Sequence, residues 1–487
     1  MHNTHRLNHY RASSSIQPNT LPMENLKSSN IVLLLLFHAG LAWVMQEIQF
    51  ISTVHALTVL IFALWKAFTS KDIKDVLPYT AYIMAAEILW RMTKANIFWE
   101  FSKYAIVLIF IVAMFKQRKL KGTFLPILFF VVLIPSMVLT ISYFGFSNSA
   151  RDAISFNLSG ALCLAVCAIA FSNTKITPVE LHNMIWPAIY PIVGVFTLAM
   201  VSTLTAQELT FIMESNFVTS GGYGPNQVSA ILGLGVLLLL LLQIMQKNRG
   251  FSLLPFILAI ALLTQSILTF SRGGVINVAV ALALVALQLI LKPGKSFKHV
   301  ALLLVTIIIM AIFVMPQLDS FTAGTVTERY SDFETTGRAE LIEADIELFK
   351  NNQPFGVGVG LSSQMRRYMP GTAAHTEYSR LLAEHGVFGV FSIFLLFLMF
   401  FRAWWKASDA LSKAWVVALA AWALVEMTHA AMRVASIGFV FGWALIEFQQ
   451  DSDIENPSGN KIKNRRVLDR VSPRLIASRK NRFKPLS

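Results

Sequence analysis

Charge is scarce in this 487-residue sequence. Asp, Glu, Lys and Arg make up 14% of it, where a soluble domain usually carries about 25%. That shortage excludes an ordinary soluble fold. Cysteine is nearly absent as well. Cys163 and Cys167 are the only two, and both lie in one apolar run, which excludes a disulfide scaffold and points to packing. No H-E-x-x-H pattern occurs, and neither His375 nor His385 has a second ligand type four residues away, so no metal is expected. No cleavable signal peptide is evident, and no repeat of roughly 20–50 residues is visible.

Long apolar runs fill the space that charge leaves. "ILGLGVLLLLLLQIM" and "HVALLLVTIIIMAIFVM" are examples, each long enough to cross roughly 30 Å of hydrocarbon. The expected fold is all-α: a polytopic transmembrane helical bundle of about 12–14 spans with one long periplasmic loop containing short helices. The spans run from 31–48 through 77–96, 124–144 and 299–315 to 412–428 and 433–448. Residues 1–30 read as a disordered cytoplasmic segment. Membrane helices occupy 31–315 and 386–448, a catalytic loop 316–385, and a basic cytoplasmic tail 449–487.

Basic residues outnumber acidic ones, 41 to 27, for a formal charge of +14. They collect in short loops such as "KQRKLK", "KPGKSFK" and "RAWWKASDALSK". That is the pattern of a cytoplasmic face, so no nucleic-acid partner is implied. The opposite face then receives "FSNSARD", the stretch 204–226, "SRGG", the loop 316–385 and "MTHAAMR".

A loop of about 70 residues is far longer than most connections, and such loops are functional or disordered. This one reads as ordered. "TTGRAELIEADIELFKNNQP" predicts a helix, with Thr336 as cap and a stop at Asn351–Pro354. "FGVGVG" follows, with Gly356, Gly358 and Gly360. "HTEYSRLLAEHG" predicts a second helix, with Tyr378, Leu381 and Leu382 on one face. Glu377, Arg380 and Glu384 share another face as a solvated ion-pair stripe. His375 falls in its first turn, where the helix dipole favours a neutral imidazole that can accept a proton. His385 reads as a surface residue.

Arg272, Arg338, Arg380 and Arg433 fall on the same outer side. Interfacial arginines often only anchor a turn. Yet a guanidinium stays charged and its fork matches phosphate oxygens. Several of them, a glycine turn and a possible base suit an anionic group at that face. Asn226 opens a span on the same side and either adds a polar contact or simply starts a helix.

Four stretches together resemble the bacterial O-antigen ligase and polymerase family. They are "GPNQVSAILGLG", "SRGG", "GRAELIEADIELFKNNQPFGVGVG" and "HTEYSRLLAEHGVFGV". The resemblance covers roughly residues 200–400. It implies a bacterial inner-membrane enzyme with its active site on the periplasmic side, an inverting glycosyltransferase that needs no metal and no other cofactor. The donor would be an undecaprenyl-diphosphate-linked glycan. The acceptor would be lipid A–core or another lipid-linked glycan. His375 would help activate the acceptor hydroxyl, and Arg272 and Arg338 would hold the diphosphate. Asn226, Arg380, Gly358, Gly360 and Glu377 would line the substrate. The acceptor decides between a ligase, a polymerase and a protein O-oligosaccharyltransferase. A transporter or flippase is the alternative from another class, and it would place ionisable groups at mid-membrane. Glu426, inside a late span, could pair with His429 or Arg433.

Overall fold

In hydrocarbon only a helix or a closed barrel satisfies every backbone polar group, and the apolar runs of this chain fold as helices. A computed structural model describes residues 28–116, 122–245, 251–291, 297–332 and 337–449. The expected cap Thr336, the N-terminal segment 1–27, the basic loops 117–121, 246–250 and 292–296 and the tail beyond 449 lie outside the described residues.

The helices, in order, are α1 (Ser28–Glu47), α2 (Gln49–Thr69), α3 (Leu77–Met92), α4 (Phe101–Phe115), α5 (Phe124–Val131), α6 (Ser136–Phe144), α7 (Asn148–Ser172), α8 (Pro178–Thr205), α9 (Pro225–Met245), α10 (Leu253–Leu268), α11 (Arg272–Ile290), α12 (Phe297–Ile309), α13 (Met315–Phe321) and α14 (Thr325–Ser331). After them come α15 (Arg338–Asn351), α16 (Ser362–Met365), α17 (Glu377–His385), α18 (Val387–Lys406), α19 (Ala410–Glu426) and α20 (Ala435–Trp443). Among the described residues, nine helical stretches are long and apolar enough to cross a membrane. A two-residue parallel pairing, β1 (Lys175–Ile176) with β2 (Glu447–Phe448), ties the end of α20 to the α7–α8 turn.

The core centres on α9, which is buried on all sides and packs against α8, α10, α11 and α19. Glycine permits the tightest of these contacts. A Cβ on Gly274 would lie 2.1 Å from the Ser229 carbonyl oxygen, and one on Gly233 would lie 2.6 Å from that of Gly274. Small residues let membrane helices approach backbone to backbone. Peripheral α1, α2, α12 and α18 turn Leu, Ile and Phe outward, as a lipid-facing surface requires. Cys163 and Cys167 are free and buried, their sulfurs 3.9 Å apart.

Three boundaries differ from the sequence expectation. The 299–315 span continues to Phe321 through a single π turn at Met310–Val314, so the outer loop starts later than 316. The 124–144 segment breaks between α5 and α6 near Pro135, as proline predicts. The last expected span, 433–448, contains a helix of only 9 residues, about 14 Å long and roughly half a crossing. Residues 427–434 before it are irregular. Such backbone survives among spans only where protein groups satisfy it.

Candidate functional site

Arg272 is positioned by the close approach of α9 and α11. Ser271, just before it, donates its hydroxyl to Asn226 Oδ1 at 2.7 Å, and Ser229 Oγ donates to the Ser271 carbonyl at 2.9 Å. Two stretches 45 positions apart are thereby joined. The Arg272 guanidinium bonds the carbonyl of Asp332 at the end of α14. Gly273 leaves room for His429, whose Nε2 would lie 2.6 Å from a Cβ there.

Arg338 is the first residue of α15, after Gly337 in the left-handed region (φ 72°). The free N–H groups of a helix N-terminus favour an anion, and the guanidinium adds charge at the same end. No hydrogen bond or ion pair engages Arg338 among the described residues.

Beneath the loop lies a buried polar network. Arg366 Nε donates to Asp345 Oδ1 at 2.6 Å, and Ser379 Oγ donates to the other Asp345 oxygen at 2.7 Å. Arg380 pairs with Glu377 and, at 2.8 Å, with Glu384. Ser362 donates to Glu384 at 2.9 Å. These side chains are almost wholly covered. The solvated stripe expected of Glu377, Arg380 and Glu384 is therefore a buried one, closed over by Asn157 of α7, Met432 and Ser362. Arg380 also donates to the Asn157 carbonyl at 3.2 Å. Its fork is filled by protein groups. The same holds for Glu377, whose Oε2 accepts from Met432 N at 3.0 Å. Burial opposes charge on Arg380, but its two carboxylates win and raise its pKa; burial raises that of Glu384.

The glycines are spacers. Gly358 (φ 106°) meets Leu139 and Thr140, and Gly360 (φ 76°) meets Asn157 and Ala153. Their N–H and C=O groups tie the turn to its neighbours: Gly358 N donates to Glu384 O at 3.1 Å, and Thr140 Oγ1 to Val359 O at 2.9 Å. Only Gly360 also borders a cleft. His385 is not a surface residue. It is fully buried and bonds Ser136 at the α5–α6 break, so it anchors the end of α17.

His375 precedes α17 instead of lying in its first turn. Thr376 takes the N-cap, its hydroxyl accepting from Tyr378 N at 3.2 Å, as short hydroxyl side chains do best. The half-buried imidazole makes no hydrogen bond among the described residues. Burial lowers its pKa first, then the charges of Arg338, Arg433 and Arg366. Arg338 and Arg433 are lowered too, by burial and then by neighbouring arginines (Arg272 for Arg338, Arg380 for Arg433).

Sequence reasoning underrated the 427–434 segment. Arg433 bonds the Ala374 carbonyl, one residue from His375. Glu426 accepts from Asn277 Nδ2 and sits 3.0 Å from His429 Nε2, so Glu426 does pair with His429. The segment is held from behind by α3: Arg91 donates to the Arg433 carbonyl at 3.3 Å, and Glu87 accepts from Ala435 N at 2.6 Å. Glu87 thus satisfies a free N–H at the start of α20. Arg329, in α14, joins the Arg272–Arg338 field. The signal in sequence was charge inside apolar runs, which is costly unless it is used.

His375, Arg338 and Arg272 are thus brought into one electrostatic neighbourhood, with Asn226 behind Arg272. The arrangement sets an imidazole that makes no hydrogen bond among the described residues beside several guanidinium groups. Residues 257–394 match the family model described as O-antigen ligase. The matched segment holds Arg272, Arg338 and His375 and supports an enzyme family that handles lipid-linked glycans; Asn226 and Arg433 lie outside it. No curated protein matches the chain.

Proposed function

We propose that this protein moves a glycan from an undecaprenyl-diphosphate carrier to an acceptor hydroxyl on the periplasmic face of a bacterial inner membrane. The observation that carries the reading is the setting of His375, half-buried, free of hydrogen bonds among the described residues and with its pKa lowered by burial and by the charges of Arg338, Arg433 and Arg366. The acceptor O–H loses its proton to an imidazole nitrogen. Its oxygen bonds the anomeric carbon, and the bond from that carbon to the diphosphate oxygen breaks. The electron pair leaves with the diphosphate, whose growing charge Arg272 and Arg338 offset. Attack opposite the leaving group inverts the anomeric centre.

An in vitro assay tests this. Purified protein is mixed with undecaprenyl-diphosphate-linked glycan, with and without lipid A–core, in chelator. Transfer only with lipid A–core identifies a ligase. Long lipid-linked chains without it identify a polymerase. Failure of both arms removes the ligase and polymerase readings and leaves a protein O-oligosaccharyltransferase or a transporter. Transfer that stops with chelator removes the metal-independent chemistry that the family resemblance implies.

A further inference from the structure

A cavity lies apart from the Arg/His cluster, with none of Arg272, Arg338 or His375 in its lining. It is a cleft of about 490 Å³ bounded by the starts of α4 and α7, the end of α6 and the Gly360 turn. That volume falls within the usual range for small-ligand sites, roughly 300–1,000 Å³. Its lining is unlike the arginine field. Among the described lining residues Glu100 and Asp152 supply carboxylates and no Lys or Arg appears, while buried Lys103 lies behind the wall, 5.9 Å over the Phe156 ring and in the field of Glu100. Asp152 is paired with exposed Arg151 at 2.9 Å. Glu100 has no ion-pair or hydrogen-bond partner for its side chain among the described residues. Asn157 spends one donor on the Ala153 carbonyl at 2.8 Å and keeps its oxygen; Gln364, opposite, is exposed. The rings of Phe144 and Phe156 complete the lining.

We propose that this cleft holds a pyranose ring of the glycan, neutral or amino-bearing, and rejects phosphate and uronate groups. Carboxylates and amides are the partners that sugar hydroxyls want, since each hydroxyl both donates and accepts. Aromatic rings receive the apolar C–H face of the ring. The unpaired Glu100 carboxylate repels anions, a discrimination by repulsion that complements attraction for the right group. Diphosphate then goes to Arg272 and Arg338, and sugar to the cleft. The two are mechanically joined: Arg380, on the helix that follows His375, donates to the backbone of the cleft residue Asn157.

This inference rests on the glycan-transferase reading, and its test separates the two. Saturation-transfer NMR on the detergent-purified full chain would use N-acetylglucosamine, glucosamine and glucuronic acid as probes. The first two should receive saturation, and glucuronic acid should bind about tenfold more weakly or not at all. Ser149→Trp at the rim, or Gln364→Trp on the opposite wall, should remove the signal; both positions are exposed, so folding is spared. Glu100→Gln should remove the preference for glucosamine over glucuronic acid. Arg338→Ala should keep the sugar signal. An equal or stronger glucuronic acid signal, no sugar signal, or a signal unchanged in both Trp variants overturns the proposal. A sugar signal that persists in a protein inactive in both arms of the transfer assay overturns the ligase and polymerase readings alone.

Discussion

Glu377 and Met432 are 55 positions apart, and the carboxylate of one accepts the backbone N–H of the other at 3.0 Å. The Glu377 N–H donates in turn to the Met427 carbonyl at 2.9 Å. One residue of the loop helix therefore fixes both ends of the segment that carries His429 and adjoins Arg433. Glu377→Ala removes the Met432 end of that clamp, leaving the backbone bond to Met427, and takes away one carboxylate of a buried pair. Loss of one partner of such a pair costs about 3 kcal/mol. The expected result is a clearly lower melting temperature, followed by tryptophan fluorescence in detergent, together with reduced transfer. An unchanged melting curve would show that the clamp holds nothing.

Arg338 is the opposite case. It has no fixed partner among the described residues, so Arg338→Ala should leave the melting temperature close to that of the parent protein. Transfer should fall by about 10²–10³, the usual cost of losing one charge-stabilising donor. Arg338→Lys should recover only part, because an ammonium lacks the planar fork. Normal transfer in Arg338→Ala would remove this residue from the mechanism.

The His375 pKa lies below its usual 6.5. Transfer that uses the neutral ring should show an acid limb centred below pH 6.5, as the imidazole takes a proton. His375→Ala should abolish transfer at every pH. An acid limb centred above 6.5 would contradict the buried, arginine-flanked setting.

Burial, with a smaller contribution from Arg380, pushes His385 down to about 3. The unfolded chain binds its proton near 6.5, and the folded chain does not until about 3. Stability is therefore full above pH 6.5 and declines as pH falls toward 3, at about 1.4 kcal/mol per pH unit. Melting temperatures between pH 7 and 5 should show this loss, and His385→Asn should flatten it.

Gly274→Ala tests the contact behind Arg272. The added Cβ would meet the Ser229 carbonyl oxygen at 2.1 Å. Overpacking of this kind costs about 1–3 kcal/mol, and separation of α9 from α11 would also carry Arg272 away from its neighbours. Lower melting temperature and lower transfer should appear together. An alanine without effect on either would mean that the helices part freely.

Much of the fold was legible in the chain itself. Apolar length fixed the helices, because hydrocarbon leaves the backbone no other partner. Charge in short loops sorted the turns into two groups, and the segments assigned to one face do meet: Asn226 with Ser271, Arg272 with Asp332, Arg433 with Ala374. Arg338, Arg272 and His375 were visible as a histidine and arginines concentrated where charge is otherwise rare. Burial was not visible. The i, i+3 and i, i+4 spacing of Glu377, Arg380 and Glu384 is the same on a wet helix and a covered one; only packing by residues more than two hundred positions away, such as Asn157, decides between them. Nor could local pattern separate the half-length α20 from a full span, since both are apolar. That choice was made by Glu87 on α3, whose carboxylate satisfies the first N–H of the short helix. The sequence by itself determined which segments are helices and which residues carry charge. Tertiary structure alone decided which charges are spent on each other and which remain available to a substrate, because pairing and desolvation depend on neighbours that the chain brings together only when it folds.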